Sequence, residues 1–161
     1  MLAARANGIL PIVSSGNDFF TNAIDNPACA SGAVSVGSVN EYDVVANYSN
    51  SSNLLTMLAP GDNITAAGIT LSGTSMAAPH VAGAVAVSSA AFPNESAEQI
   101  LVRITNSGVP IRDYRNGIVK PRLDLRAALG NLIPSTPTNP PLDATNDFDI
   151  VPILDILLLN N

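Results

Sequence analysis

The segment Leu71–Val87, with the sequence LSGTSMAAPHVAGAVAV, constrains the fold of this chain more than any other. Its side chains are small or apolar all round, which predicts a buried, central helix over residues 74–92. Ser75 stands at the start of that helix, and Gly73 before it allows a tight turn. A serine in the first turn of a buried helix lies beside backbone N–H donors, as a nucleophile for acyl transfer requires. The segment therefore marks Ser75 as a candidate nucleophile.

Short apolar runs before this helix are typical of strands buried on both faces of a parallel sheet. Ser96 and Gln99 give a capping-box signal for a further helix, and residues 64–71 are predicted to be irregular or extended. The predicted strands are residues 9–15, 33–39 and 54–59. The other predicted helices are residues 1–9, 96–107 and 123–129. This order of elements predicts an α/β fold built on a parallel sheet.

The residues of Leu71–Val87, in their order, resemble the serine-nucleophile segment of the subtilisin-like serine proteases, the subtilases. The resemblance covers roughly residues 1–132 and implies a three-layer, parallel-sheet α/β fold, present here only as its C-terminal part. It also implies a serine endopeptidase that cleaves polypeptide substrates, with Ser75 as the catalytic nucleophile.

A second segment, Ser14-Ser15-Gly16-Asn17, resembles the part of the subtilases that carries the oxyanion asparagine. The resemblance implies that the Asn17 amide donates to the negative oxygen of the tetrahedral intermediate. It also implies that the backbone of Ser14, Ser15 and Gly16 binds substrate as an added strand. The alternative for Asn17 is an ordinary turn residue.

His80 is the only histidine and lies five residues after Ser75. On a helix, five residues correspond to a rotation of about 140°, so the imidazole is directed away from the Ser75 hydroxyl. In the subtilases, which this segment resembles, the catalytic histidine comes from a separate segment. We therefore predict that His80 packs and forms hydrogen bonds within the fold and is not the general base.

The subtilases order their triad as Asp, His and Ser along the chain, and the first two have no counterpart here. We expect the chain to be a fragment that is inactive alone as a protease. Its expected partner is the missing N-terminal half of the catalytic domain. The strand at residues 9–15 would then lack a neighbour, which leaves an open apolar sheet edge.

Three interpretations of this pattern remain. The first is the C-terminal part of a secreted subtilisin-like endopeptidase. The second is a non-catalytic remnant that serves as a binding or structural domain. The third is one half of a split enzyme whose Asp and His come from another chain. Codons for Asp-x-Gly and His-Gly-Thr in the DNA just upstream would favour the first, and an intact promoter and start site would favour the second.

Composition excludes some partners. Seven basic residues against thirteen acidic ones give a formal net charge of −6, and nucleic acid is not expected as a partner because phosphate binding requires clustered Lys and Arg. No cofactor and no metal site are expected, since there is one histidine and no carboxylate cluster. The resemblance nevertheless allows calcium in the complete enzyme. Cys29, the only cysteine, is predicted to be buried as a small apolar residue.

No targeting or membrane signal is expected from the residues at either end of this sequence. No signal peptide is visible at the N-terminus, so secretion is expected only for the full-length protein and from the resemblance. The apolar run at 150–159 is shorter than the roughly 20 residues that span a bilayer, so no membrane partner is expected. Residues 1–132 are predicted to be the subtilase portion, 133–147 a Pro/Thr/Asn-rich linker, and 148–161 an unassigned apolar tail.

Overall fold

The computed structural model describes residues 1–132; the predicted linker at 133–147 and apolar tail at 148–161 lie outside the described residues. Within residues 1–132, no helix has both the length and the apolar character needed to cross a membrane. The helices are α1 (Leu2–Ala6), α2 (Thr74–Ala91), α3 (Ala97–Ser107) and α4 (Leu125–Leu129), with a 3₁₀ turn at Gly130–Leu132. The strands are β1 (Ile12–Ser14), β2 (Val34–Val39), β3 (Met57–Pro60), β4 (Ile64–Ala66), β5 (Ile69–Leu71), β6 (Val109–Arg112) and β7 (Val119–Arg122).

Five strands form one sheet in the order β1-β2-β3-β7-β6. All of these strands are parallel to their neighbours except β6, which pairs with β7 in antiparallel fashion. Ile12 lies beside Val34, and Val36 beside Met57, so the apolar runs of the sequence meet side by side. The predicted α/β fold with a parallel sheet is confirmed. As expected, β1 has a neighbour on one side only, and its other edge is open within residues 1–132.

Helix α2 lies against β1, β2 and β3 and also contacts α3 and α4. Its inward side chains complete the larger apolar core, whose fully buried members include Val34, Val36, Met57, Ala77, Val81, Ile100 and Ile104. The prediction of a central helix is wrong for its outer side, where Ser75, Pro79, Ala82 and Ala86 form an exposed stripe. The described sheet and helices cover only part of the circumference of α2.

The opposite face of the sheet is covered by loops. A smaller apolar cluster there joins Ile24, Ala28, Val39, Val45, Leu55 and Leu58. Cys29 was predicted to be buried, but it is exposed. Its neighbour Ala28, only 4% exposed, takes the inward position instead. Side-chain direction in such a loop is decided by the local turn, so the apolar character of Cys29 did not predict its burial.

The predicted capping box of α3 is confirmed, because Ser96 Oγ accepts from Gln99 N at 3.3 Å and Gln99 Oε1 accepts from Ser96 N at 2.8 Å. Two antiparallel hairpins, β4–β5 and β6–β7, were not predicted. No element is predicted at residues 109–122, where Pro110 and Pro121 cannot donate to a strand ladder. The sheet accommodates both prolines because Pro110 and Pro121 lie opposite each other at the edge hairpin.

Candidate active site

Ser75 is the second residue of α2, and its side chain is exposed. The turn before it is anchored to the end of β3, since Gly73 N–H donates to the Gly61 carbonyl at 2.8 Å. The Tyr48 hydroxyl donates to the same carbonyl at 3.0 Å. The first N–H groups of a helix lack partners within the helix. The hydroxyl of Ser75 therefore stands at a fixed helix N-terminus that can receive a negative oxygen.

Asn17 reaches this helix start through Thr74. Its Oδ1 accepts hydrogen bonds from both the Thr74 backbone N–H and the Thr74 hydroxyl, each at 2.9 Å. Thr74 Oγ1 in turn accepts from Gly16 N–H at 3.3 Å, and Thr74 is completely buried. A backbone N–H can only donate, so the atom that faces it must be the amide oxygen. The Nδ2 of Asn17 is left as the donor that can turn towards a ligand.

The structure brings Ser14 and Ser75 to one cavity between β1 and α2. Its volume is about 390 Å³, and the remaining lining is apolar: Ile12, Val13, Ala78, Pro79 and Ala82. The cavity opens along the exposed stripe of α2 and the free edge of β1.

Ser14, Ser15 and Gly16 are predicted to bind substrate through their backbone, but they differ in whether their N–H and C=O groups are already hydrogen-bonded within the fold. Ser15 N–H donates to Val36 O, and Ser15 O accepts from Asp25 N–H, both at 2.9 Å. The Gly16 N–H donates to Thr74 Oγ1, and the Gly16 carbonyl accepts from the Asn50 N–H. Hydrogen-bonding direction alternates along a strand, so the backbone of Ser14 faces away from β2 to the open edge. Of the three, only Ser14 has backbone groups free at the open edge, and substrate pairing by Ser14, Ser15 and Gly16 stays a prediction.

The Asn17 loop (residues 15–20) is held by a neighbouring segment, the buttress segment (residues 47–51). Asn50 is completely buried, and its Oδ1 accepts from Asp18 N–H at 2.9 Å and Phe20 N–H at 3.0 Å. Its backbone N–H donates to Gly16 O at 2.9 Å, and its carbonyl accepts from Ser15 Oγ at 2.9 Å. No feature of the sequence singles out Asn50 as the residue that holds this loop.

Gly16 is the one position in this loop where a side chain cannot be accommodated. Its φ is +102°, and a Cβ there would collide with the Asp25 carboxylate and the Asn50 amide. A hydrogen bond with Asp18 raises the pKa of Asp25, with burial and the negative charge of Asp18 acting in the same direction. Asp25 therefore keeps its proton to a higher pH than an isolated carboxyl group would.

His80 lies where a structural histidine is expected. Its Nδ1 is 2.8 Å from the Met76 carbonyl, one turn earlier in α2, and the residue is half-buried. This contact supports the prediction that His80 is not the base for Ser75. No cluster of three or more His, Cys, Asp or Glu side chains with metal-binding geometry occurs among residues 1–132.

Residues 2–131 match the profile of the subtilase family, peptidase S8. The chain belongs to the subtilase family. This subtilase chain is 36% identical over 100 residues to an extracellular serine proteinase of Thermus sp. strain Rt41A, covering 58% of the chain and 24% of that relative. It is 41% identical over 93 residues to an intracellular serine protease of Paenibacillus polymyxa, covering 52% of the chain and 28% of the relative.

Among solved structures, the chain is similar to a cold-adapted subtilisin-like serine proteinase, with a TM-score of 0.69 and 28% identity. The match covers 76% of this chain and 47% of that protein. The subtilisin-like fold is confirmed. The subtilase chain thus spans about half of this structural neighbour and about a quarter of the curated relatives it matches.

Proposed function

We propose that this subtilase chain supplies the nucleophile and the oxyanion donor of a serine endopeptidase. Ser75 attacks the carbonyl carbon of a peptide bond, and Asn17 Nδ2 donates to the oxygen that becomes negative. The peptide C–N bond breaks, and the amine leaves with the proton that the general base took from Ser75; water then hydrolyses the acyl-serine and frees its hydroxyl. The substrate is a polypeptide that lies along the free edge of β1 at Ser14.

The observation that carries this proposal is the orientation of Asn17. Two donors from Thr74 hold its Oδ1, so Nδ2 is presented at the turn that precedes Ser75. Preorganised donors of this kind stabilise an oxyanion because they need no reorientation during the reaction. In subtilisin, removal of one such donor lowers turnover by about 10²–10³-fold.

The general base must come from another polypeptide segment. His80 is the only histidine in the sequence, and it faces the Met76 carbonyl within its own helix. We therefore propose a partner segment that carries the catalytic Asp and His and accepts the Ser75 proton. The exposed stripe of α2 is the surface on which it docks, beside the edge of β1 that holds the substrate. Without this segment the chain is inactive.

We further propose that the complete enzyme is secreted and that its reaction needs no cofactor. The extracellular relative from Thermus sp. supports secretion, whereas the relative from Paenibacillus polymyxa is named as intracellular. The chemistry assigned to Ser75, Asn17 and an external His is acid–base and nucleophilic, and it needs no cofactor to balance.

The proposal is tested by reaction of Ser75 with a fluorophosphonate probe. The chain is assayed alone and after co-expression with the polypeptide encoded directly upstream. Labelling only in the co-expressed sample, and its loss in Ser75→Ala, would support the proposal. Strong labelling of the chain alone would overturn the requirement for an external base. In the active sample, Asn17→Ala should lower peptide hydrolysis by about 10²–10³-fold.

The second candidate is a non-catalytic binding domain that uses the free edge of β1 without chemistry. It is favoured by one observation, the lack of any histidine besides His80. On this alternative, Ser75→Ala binds an extended peptide as tightly as the native chain does. The probe would then label neither sample, whatever is encoded upstream.

A further inference from the structure

A buried ion pair lies in the turn between β6 and β7. Asp113 is only 3% exposed, and it accepts hydrogen bonds from Arg115 Nε at 2.9 Å and Nη2 at 2.7 Å. The Arg115 backbone N–H donates to it as well, at 3.0 Å. Burial would raise the pKa of Asp113, but the hydrogen bonds from Arg115 outweigh burial and hold that pKa below its ordinary value. Asp113 therefore stays charged and holds the guanidinium in one orientation.

The rest of the Arg115 guanidinium faces the buttress segment. Nη1 donates to the Asn47 carbonyl, and Nη2 donates to the Ser49 carbonyl at 2.8 Å. The next residue, Asn116, donates to Ser51 Oγ at 3.0 Å. Arginine can make this set of bonds because its donors form a rigid planar fork, which lysine lacks. The turn thus clamps residues 47–51, and Asn116 also donates to the Thr21 carbonyl, directly after the Asn17 loop, at 2.8 Å.

The Asn17 loop depends on that segment for its shape. Gly16 has a φ of +102° and Phe19 a φ of +63°, and a non-glycine residue at positive φ persists only where its surroundings hold it. Phe19 N–H donates to Tyr48 O at 3.0 Å. On either side of Phe19, the Asp18 and Phe20 N–H groups donate to Asn50 Oδ1. A shift of the buttress segment would therefore move the backbone that carries Asn17.

We propose that Arg115 is a positioning residue for the Asn17 loop. It acts through the carbonyls of Asn47 and Ser49, and Asp113 keeps it oriented. The importance of Arg115 for catalysis rests on the proposed function. The structural coupling between Arg115 and the Asn17 loop does not depend on that function. The link can therefore be tested in the 161-residue chain without any hydrolysis.

The experiment compares Arg115→Lys with the native chain by NMR. Lysine keeps the charge but cannot bridge Asp113 and two carbonyls at once. We expect hydrogen exchange at the Asp18 and Phe20 amides to accelerate at least tenfold, and the Asn17 side-chain NH₂ signals to shift. The amides of Ile100 and Ile104 in α3, which report on the whole core, should keep their native rates. Asp113→Asn, a milder change, should show the same pattern to a smaller extent.

The matched control is Arg122→Lys, which removes an arginine fork that pairs with Asp43 and makes no contact with the buttress segment. Its Asp18 and Phe20 amides should exchange at native rates. The proposal is overturned if these amides are unchanged in Arg115→Lys. It is also overturned if exchange rises equally in α3, because the pair would then support the whole fold rather than the loop. Absence of protease activity, by contrast, would bear only on the proposed function.

Discussion

The hydroxyl of Thr74 and the side-chain oxygen of Asn17 lie 2.9 Å apart, although 57 residues separate them in the chain. Thr74 N–H donates to the same oxygen. This double contact joins the loop after β1 to the first turn of α2. It also decides which end of the Asn17 amide is available to a ligand beside Ser75.

Replacement of Thr74 by Val should weaken this junction with little change of shape. Asn17 Oδ1 loses one donor, and Gly16 N–H loses its acceptor, so the free energy of unfolding should fall by about 1–3 kcal/mol. Urea denaturation measures this change. Thr65→Val is the control, because Thr65 bonds Thr70 on an exposed hairpin and should change stability by no more than about 0.5 kcal/mol. Equal losses in both variants would contradict the prediction.

Removal of the Asn50 side chain should lower the free energy of unfolding more than the Thr74→Val replacement does. Asn50→Ala leaves the N–H groups of Asp18 and Phe20 without an acceptor, and we expect a loss of about 2–4 kcal/mol in unfolding free energy. The exposed neighbour Asn53 provides the control, and Asn53→Ala should be nearly neutral. An unchanged free energy of unfolding in Asn50→Ala would show that the Asn17 loop does not depend on the Asn50 side chain.

The Asp18–Asp25 pair should make stability depend on pH. The pKa of Asp25 is raised above 3.8, so its contribution to stability is fully present below pH 3.8 and is lost as the pH rises through the raised value. Asparagine does not titrate, so the Asp25→Asn variant does not lose this stability as the pH rises. The difference in urea midpoint between Asp25→Asn and the native chain should therefore become more positive as the pH rises from about 3 to 6. A difference that does not vary with pH would contradict the assignment.

The exposed stripe of α2 should govern association of the isolated chain. A charge at Ala82 leaves the core untouched, so Ala82→Glu should keep the circular dichroism spectrum and change unfolding free energy by no more than about 0.5 kcal/mol. It should also reduce aggregation, and it should abolish Ser75 labelling in the co-expressed sample. Val102→Glu places the same charge on the exposed face of α3 and should leave the labelling intact. Loss of labelling in both variants would argue against this docking surface.

Much of the architecture could be predicted because it depends on short-range patterns. The apolar runs predicted β1, β2 and β3 to within about three residues, and the capping box predicted the start of α3. The β6–β7 hairpin could not be predicted in this way, since Pro110 and Pro121 are tolerated only because they face each other. The exposure of Cys29 likewise depends on how its loop packs.

The sequence by itself determined the family and the α/β class, and it singled out Ser75 and Asn17, because those signals reside in contiguous residues. Only the tertiary structure decided how Asn17 is oriented, what supports its loop, and that Ser14 alone of its segment faces the open edge. These properties come from hydrogen bonds between segments distant in the chain, such as Thr74 to Asn17 and Arg115 to Ser49. Such bonds exist only once strand register and packing have brought the segments together.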